Sequence, residues 1–160
     1  MRPPDDNTRV PILELGPDRT ALAHRAMLAL RPGIGDAAVF AACVNTVQRP
    51  EGYRLVVSVE EGEEEASAAA GFRILHLLAW GRVLYVDDLS TLPERRGRGH
   101  AGGLMRWLLE EAGRLGCAQL HLDSGVGPGR QDAHRLYLGH RMRISAHHFS
   151  IDVAAQPSSR

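Results

Sequence analysis

Three glycines fall within six positions in the run Arg95-Arg96-Gly97-Arg98-Gly99-His100-Ala101-Gly102, and they constrain the fold of this chain more than any other feature. The run joins an apolar, strand-like stretch (83–92) to a helix-like one (102–115). Gly97, Gly99 and Gly102 let the backbone approach a ligand closely, with N–H groups facing outward. A helix N-terminus brings unsatisfied donors and the positive end of a dipole, so the turn is suited to a phosphate group. Arg95, Arg96 and Arg98 add positive charge. The strand–turn–helix context predicts an α/β fold that holds an anion, and a pyrophosphate suits it best.

Two phosphate-binding patterns fit the glycines. Gly97-x-Gly99-x-x-Gly102 satisfies the dinucleotide fingerprint G-x-G-x-x-G. Against it, Pro93-Glu94-Arg95-Arg96 separates the glycines from the strand, and the turn lies in the second half of the chain. Only about 60 residues follow, too few for two mononucleotide-binding halves. Arg96-x-x-Gly99-x-Ala101 matches instead the Arg/Gln-x-x-Gly-x-Gly/Ala signature, and from residue 9 to 153 the chain resembles the GCN5-related N-acetyltransferase (GNAT) superfamily. The resemblance implies that superfamily's α/β fold, a mixed, mostly antiparallel sheet with splayed parallel central strands flanked by helices. It also implies acetyl-CoA as the acetyl donor, with Arg96, Gly97, Arg98, Gly99, His100, Ala101 and Gly102 around its pyrophosphate.

The pattern of apolar residues gives the order β-α-α-β-β-β-α-β-α-β. A first strand is expected within 9–15, and a helix within 18–30 with Asp18 to Thr20 as its cap and Pro32-Gly33 as its stop. A second helix is expected over 36–47 and strands over 54–60, 68–80 and 83–92. After the helix, which Gly116 stops, a fifth strand (118–123) runs parallel to the fourth because a helix crosses between them. Asp132 is expected to cap a short helix (133–138), and 145–153 to form a last strand. Residues 9–153 read as a single domain, with residues 1–8 and 154–160 as disordered ends.

The 160 residues are 44% hydrophobic and 24% charged, ordinary for a globular protein, and 19 basic residues balance 19 acidic ones. Zero net charge gives no electrostatic support for nucleic-acid binding. The first residues are polar and acidic and hold no apolar stretch of the kind a signal peptide or membrane span needs, so the chain reads as cytoplasmic. Cys43 and Cys117 lie in apolar contexts and read as buried thiols. The eight histidines do not take metal-ligand spacing: His147 and His148 point to opposite faces of a strand, and His134 and His140 are six apart. No metal is expected.

The chemistry concentrates in Leu84-Tyr85-Val86-Asp87-Asp88-Leu89-Ser90-Thr91. An amine must be neutral to attack a thioester, so a base is useful. Adjacent acids on a strand point to opposite faces, and parity with Leu89 favours Asp87 as base or amine ligand, with Asp88 paired to an arginine. The run resembles the corresponding strand of diamine acetyltransferases. His76 is an alternative base, though a partly buried structural histidine is the simpler reading. In the family's terms, Leu89 supplies a backbone N–H to the thioester carbonyl, and Ser90 and Thr91 continue along the pantetheine arm. Asp132-Ala133-His134-Arg135-Leu136-Tyr137 resembles the helix whose tyrosine donates to the departing sulfur, which makes Tyr137 the general acid. Asp132 and Arg135 are then coenzyme contacts. His121 and Asp123 share a strand face and read as a polar pair. Asp36, Asn45 and Glu51 are polar residues in the region where the family reads its acceptor.

The sequence therefore points to an N-acetyltransferase with direct transfer to a primary amine, either of a small molecule or of a lysine side chain. A non-catalytic coenzyme A-binding regulatory module is the alternative, and a nicotinamide-dependent oxidoreductase ranks last. A homodimer is left open.

Overall fold

A computed structural model describes residues 10–153. The expected disordered ends, residues 1–8 and 154–160, lie outside the described residues. The chain forms two compact units, one ending at Ser124 and one beginning at Gly125.

The first unit is built on a five-stranded sheet in the order β1-β2-β3-β4-β5, with β1 at Ile12–Glu14, β2 at Arg54–Val59, β3 at Ala66–Leu77, β4 at Gly81–Thr91 and β5 at Gln119–Leu122. β1 to β4 pair antiparallel, and β5 is parallel to β4, as the crossing helix requires. That helix is α3 (His100–Arg114), preceded in the chain by α1 (His24–Leu30) and α2 (Ala37–Cys43). The mixed sheet with its helices is the fold class expected from the sequence.

β2 shows why the sheet is covered on both faces. Leu55 and Val57 enter a cluster with Ala23, Ala26, Met27 and Phe40 from the first helices. On the alternate positions, Val56 is fully buried and Ser58 reaches His100 of α3. A strand sandwiched this way reads as a nearly continuous apolar run. In β3, Ala66, Ala68, Ala69 and Ala70 are buried small residues that let elements on both faces come close.

The first helical segment differs from expectation. A 3-10 turn at Pro17–Ala23 precedes α1, with Gly16 at its start and no side-chain cap. Thr20 turns inward and donates to Asn45 Oδ1 at 2.7 Å instead of capping. The expected second helix divides into α2, a π turn at Val44–Gln48 and a 3-10 turn at Arg49–Glu51. Cys43 is exposed, not buried, and Cys117 is half-buried; both are free thiols.

The second unit contains a 3-10 turn at Pro128–Arg130 and α4 (Gln131–Gly139). The expected last strand is absent: 142–153 has no regular structure, and Ile144, Phe149, Ile151 and Val153 are exposed. Alternation alone does not make a strand, because its backbone groups need a paired neighbour, and within this unit α4 is the main regular element. Among the described residues, no helix is long and apolar enough to cross a membrane.

Candidate active site

β4 and β5 pair from Val83 with Gln119 to Val86 with Leu122, and there the pairing stops. β4 continues beside β3 as far as Thr91, opposite Ala68. Residues 87–91 therefore run with β3 on one side and no β5 partner on the other. Leu89, Ser90 and Thr91 lie in this stretch, and Ser90 is nearly buried.

The parting coincides with an irregularity. Phe72 faces Val86 and Gly71 faces Asp88, so Asp87 is an extra residue in β4, a β-bulge. The bulge corrects the expectation that Asp87 and Asp88 point to opposite faces, because strict alternation holds only in a regular strand. Both carboxylates join one cluster. Arg73 Nη2 pairs with Asp87 Oδ2 at 2.8 Å, with its Nε at 2.9 Å from the same oxygen. Arg31, which follows α1, donates through Nε to Asp88 Oδ1 at 2.9 Å and through Nη2 to the Asp87 carbonyl at 3.3 Å. Tyr53 donates to Asp88 Oδ2 at 3.0 Å, and the Arg73 guanidinium lies 5.5 Å from the centre of its ring. Asp87 was expected to be the acid without an arginine; each acid has one.

Charge and burial set the proton affinities here. Burial pushes the Asp87 carboxyl above its ordinary value, and Arg73 opposes the shift without cancelling it. Burial, then the Asp88 carboxylate, pushes Tyr53 far up, so its hydroxyl stays a donor. Sequence reasoning missed Tyr53. The available signal was Gly71, a lone glycine inside an apolar strand, which marks a bulge or a close approach of another group.

His76 does not belong to the cluster. It lies opposite Arg82 near the β3–β4 turn and is exposed, not partly buried. Asp36 caps α2, accepting from the Ala38 and Val39 amides at 3.0 and 2.9 Å. Asn45 donates to the Pro17 carbonyl and accepts from Arg49, so it ties the first helical segment together. Glu51 reaches Arg73 at 3.7 Å. His121 bonds Gln119 and stacks on Trp80, while Asp123 accepts from Tyr85.

The glycine turn follows β4. Gly97 and Gly99 take φ of 75° and 85°, in the left-handed region that favours glycine. Gly99 is the N-cap of α3 and supplies no side-chain cap, so the first amides of this 15-residue helix have no side-chain acceptor at the cap. The space in front of Gly97 is open. Arg96 is exposed and makes no ion pair among the described residues. These features fit a pyrophosphate. The side chain of His100 does not take part: it is 1% exposed and turned into the protein. His100 can serve an anion only through its backbone N–H.

In the second unit, Asp132 is not the cap of α4, whose N-cap is Arg130. Asp132 pairs with Arg135 at 2.7 Å, both well exposed. His134 bonds the Gly125 carbonyl at 2.9 Å. Tyr137 is half-buried, and burial raises its hydroxyl above the ordinary tyrosine value. Among the described residues, no group of three or more His, Cys, Asp or Glu could hold a metal ion.

A sheet whose parallel pair parts beside a glycine turn defines an acetyltransferase fold, and solved structures share it. An acetyltransferase of Trypanosoma brucei superposes with a TM-score of 0.74 at 18% identity, covering 90% of this chain and 99% of the other. An acetyltransferase assigned in Agrobacterium tumefaciens matches with a TM-score of 0.70 at 23% identity, covering 90% and 100%. The aminoglycoside N-acetyltransferase AAC(6')-Iy, in complex with CoA, matches with a TM-score of 0.74 at 14% identity, covering 91% and 95%. No curated protein matches the sequence. The model of the acetyltransferase (GNAT) family matches residues 23–140, and the chain belongs to that family of enzymes.

Proposed function

We propose that this enzyme transfers an acetyl group from acetyl-CoA directly to a primary amine, carried by a small molecule or a lysine side chain. The observation that supports this most is the parting of β4 from β5 after Val86, one residue before the bulge at Asp87. It leaves a stretch of strand edge beside two carboxylates, leading toward an uncapped helix N-terminus. Acetyl-CoA supplies the acetyl group as an activated thioester.

This chain's residues divide the remaining work. Backbone N–H groups from Gly97 to Gly102, with Arg96, hold the pyrophosphate. The free edge from Leu89 to Thr91 offers backbone groups to the pantetheine arm. Asp87 is the base: its raised proton affinity brings it closer to the ammonium it must deprotonate, and Arg73 fixes its orientation. Asp88, oriented by Arg31 and Tyr53, binds the acceptor amine. Tyr137 gives its hydroxyl proton to the departing thiolate; a tyrosine hydroxyl is protonated at neutral pH, and burial raises this one further. Asp132 and Arg135 add coenzyme contacts from α4, and the cytoplasm is the proposed location.

The test is release of free thiol from acetyl-CoA in the presence of a panel of amines: an aminoglycoside, a diamine, free lysine and a lysine-containing peptide. Release with at least one amine, with the acetylated product found by mass spectrometry, is expected. Coenzyme A binding without release across such a panel would favour the non-catalytic module instead.

A further inference from the structure

Glu60, the first residue after β2, is joined to the glycine turn at three points. Its Oε2 accepts from Arg95 Nη1 at 2.5 Å, ahead of the turn. Its Oε1 accepts from Arg98 Nη1 at 3.2 Å, between the two left-handed glycines. The same Oε1 lies 3.0 Å from His100 Nε2, at the first position of α3. A carboxylate only accepts, so Nε2 carries the hydrogen. On its other side, His100 Nδ1 lies 2.8 Å from the Ser58 hydroxyl, which is fully buried in β2. The ring is therefore satisfied at both nitrogens inside the protein.

We infer that Glu60 is a positioning residue that straps the anion-binding turn into its binding geometry through Arg95, Arg98 and His100. The inference rests on the coenzyme reading of that turn. Gly97 and Gly99 give the turn its left-handed geometry but also the largest conformational freedom in the unbound chain. A turn that must aim several N–H groups at one anion gains affinity when its order exists before binding. Glycine cannot supply that order, and no cap side chain does. Glu60 supplies it from outside, with charge-assisted hydrogen bonds on both sides of the glycines and one between them. His100 carries the restraint down to β2, a strand buried on both faces.

The strap has an electrostatic cost that makes it testable. A carboxylate next to an anion site repels the anion and occupies Arg95 and Arg98, leaving Arg96 as the one of the three without an ion pair among the described residues. If Glu60 acted by charge alone, removing it would tighten coenzyme A binding. If it acts by position, removing it weakens binding in spite of the charge.

The experiment titrates coenzyme A calorimetrically into the wild type, Glu60→Ala, Glu60→Asp and Glu60→Gln, and follows amide exchange in the unliganded proteins. Glu60→Ala should bind about tenfold more weakly, and the amides of residues 103–106, the first hydrogen-bonded ones of α3, should exchange about tenfold faster while β2 and β3 are unchanged. Glu60→Asp keeps the charge but draws the carboxylate back from all three anchors. It should fold normally and still bind more weakly, whereas a charge effect leaves it unaltered. Glu60→Gln keeps the length and one acceptor oxygen and should lie nearest to wild type. In turnover, KM for acetyl-CoA should rise with kcat nearly constant. Unchanged exchange at 103–106 in Glu60→Asp and Glu60→Ala, or tighter binding by Glu60→Ala, overturns the strap. Failure of the wild type to bind coenzyme A overturns the coenzyme reading instead, and the exchange measurement still decides the role of Glu60.

Discussion

The ring of Tyr53 lies directly on the backbone of Gly71, so that a Cβ added at position 71 would sit 1.7 Å from the Tyr53 hydroxyl oxygen and 2.0 Å from Cζ. Gly71 is where β3 meets the bulge, and Tyr53 is where the acidic pair finds its neutral partner. Gly71→Ala should therefore push Tyr53 away from Asp88 and destabilise the protein by about 1–3 kcal/mol, the usual scale of overpacking. Tyr53→Ala removes the clashing atoms, so the double variant should be more stable than the sum of the two single losses predicts. Denaturant melts of the three variants measure this coupling.

Asp87 should give the rate an acid limb. Its carboxyl is raised above the ordinary value and in the proposed role would act as base only when ionised, so turnover should fall as pH drops through that raised pKa. Asp87→Asn should lower kcat by about 10²-fold and abolish the limb, with coenzyme A affinity nearly unchanged. A pH–rate profile of both proteins checks this. If Asp88→Asn loses the limb and Asp87→Asn keeps it, the roles of the two acids are exchanged.

Tyr137→Phe removes one oxygen and keeps the ring. Turnover should drop about 10- to 10³-fold while melting temperature and coenzyme A binding stay close to wild type. The loss should shrink with an acyl donor whose thiol is more acidic, since that thiolate leaves with less help. A destabilised variant with wild-type turnover would mark Tyr137 as a packing residue alone.

Gly99→Val should weaken coenzyme A binding by tenfold or more, about 1.4 kcal/mol. Valine strains a φ of 85° and puts bulk at the N-cap of α3, where the proposed anion would meet the backbone. Calorimetry on the folded variant measures the effect.

Stability should fall at low pH through Glu111. Hydrogen bonds from Arg114, then from Arg54, pull its nearly buried carboxyl from 4.5 down to about 2. A depressed carboxyl pKa stabilises the fold above the unfolded value, and that part is lost as pH falls from about 4.5 toward about 2. Denaturation midpoints across this window should decline less steeply in Glu111→Gln than in the wild type.

Local patterns in the sequence were enough for the elements that carry their own signals. The glycines at 97 and 99 marked a turn whose backbone can approach a ligand closely, and their positive φ values belong to a conformation few other residues adopt without strain. The helix after the turn made β5 parallel to β4, because a crossover of that length leaves little choice. The resemblance built on Arg96, Gly99 and Ala101 reached the right family for the same reason: one short turn brings those residues together.

Only the tertiary structure decided what the acidic pair bonds to. Parity arguments assume a regular strand, and whether Asp87 is bulged depends on its register against Gly71 and Phe72, at the far side of a hairpin. Arg31, Tyr53 and Arg73 come to Asp87 and Asp88 from three separate segments, and no spacing rule connects them. His100 stood in the glycine motif, yet its direction was set by Ser58 and Glu60, about 40 residues earlier in the chain. The segment 145–153 alternates like a strand but stays unpaired within its unit, since pairing belongs to two strands and alternation to one. Periodicity and turn chemistry are properties of neighbours along the chain. Register, ion pairing and burial are properties of neighbours in space, and those settle which of the readable residues come together.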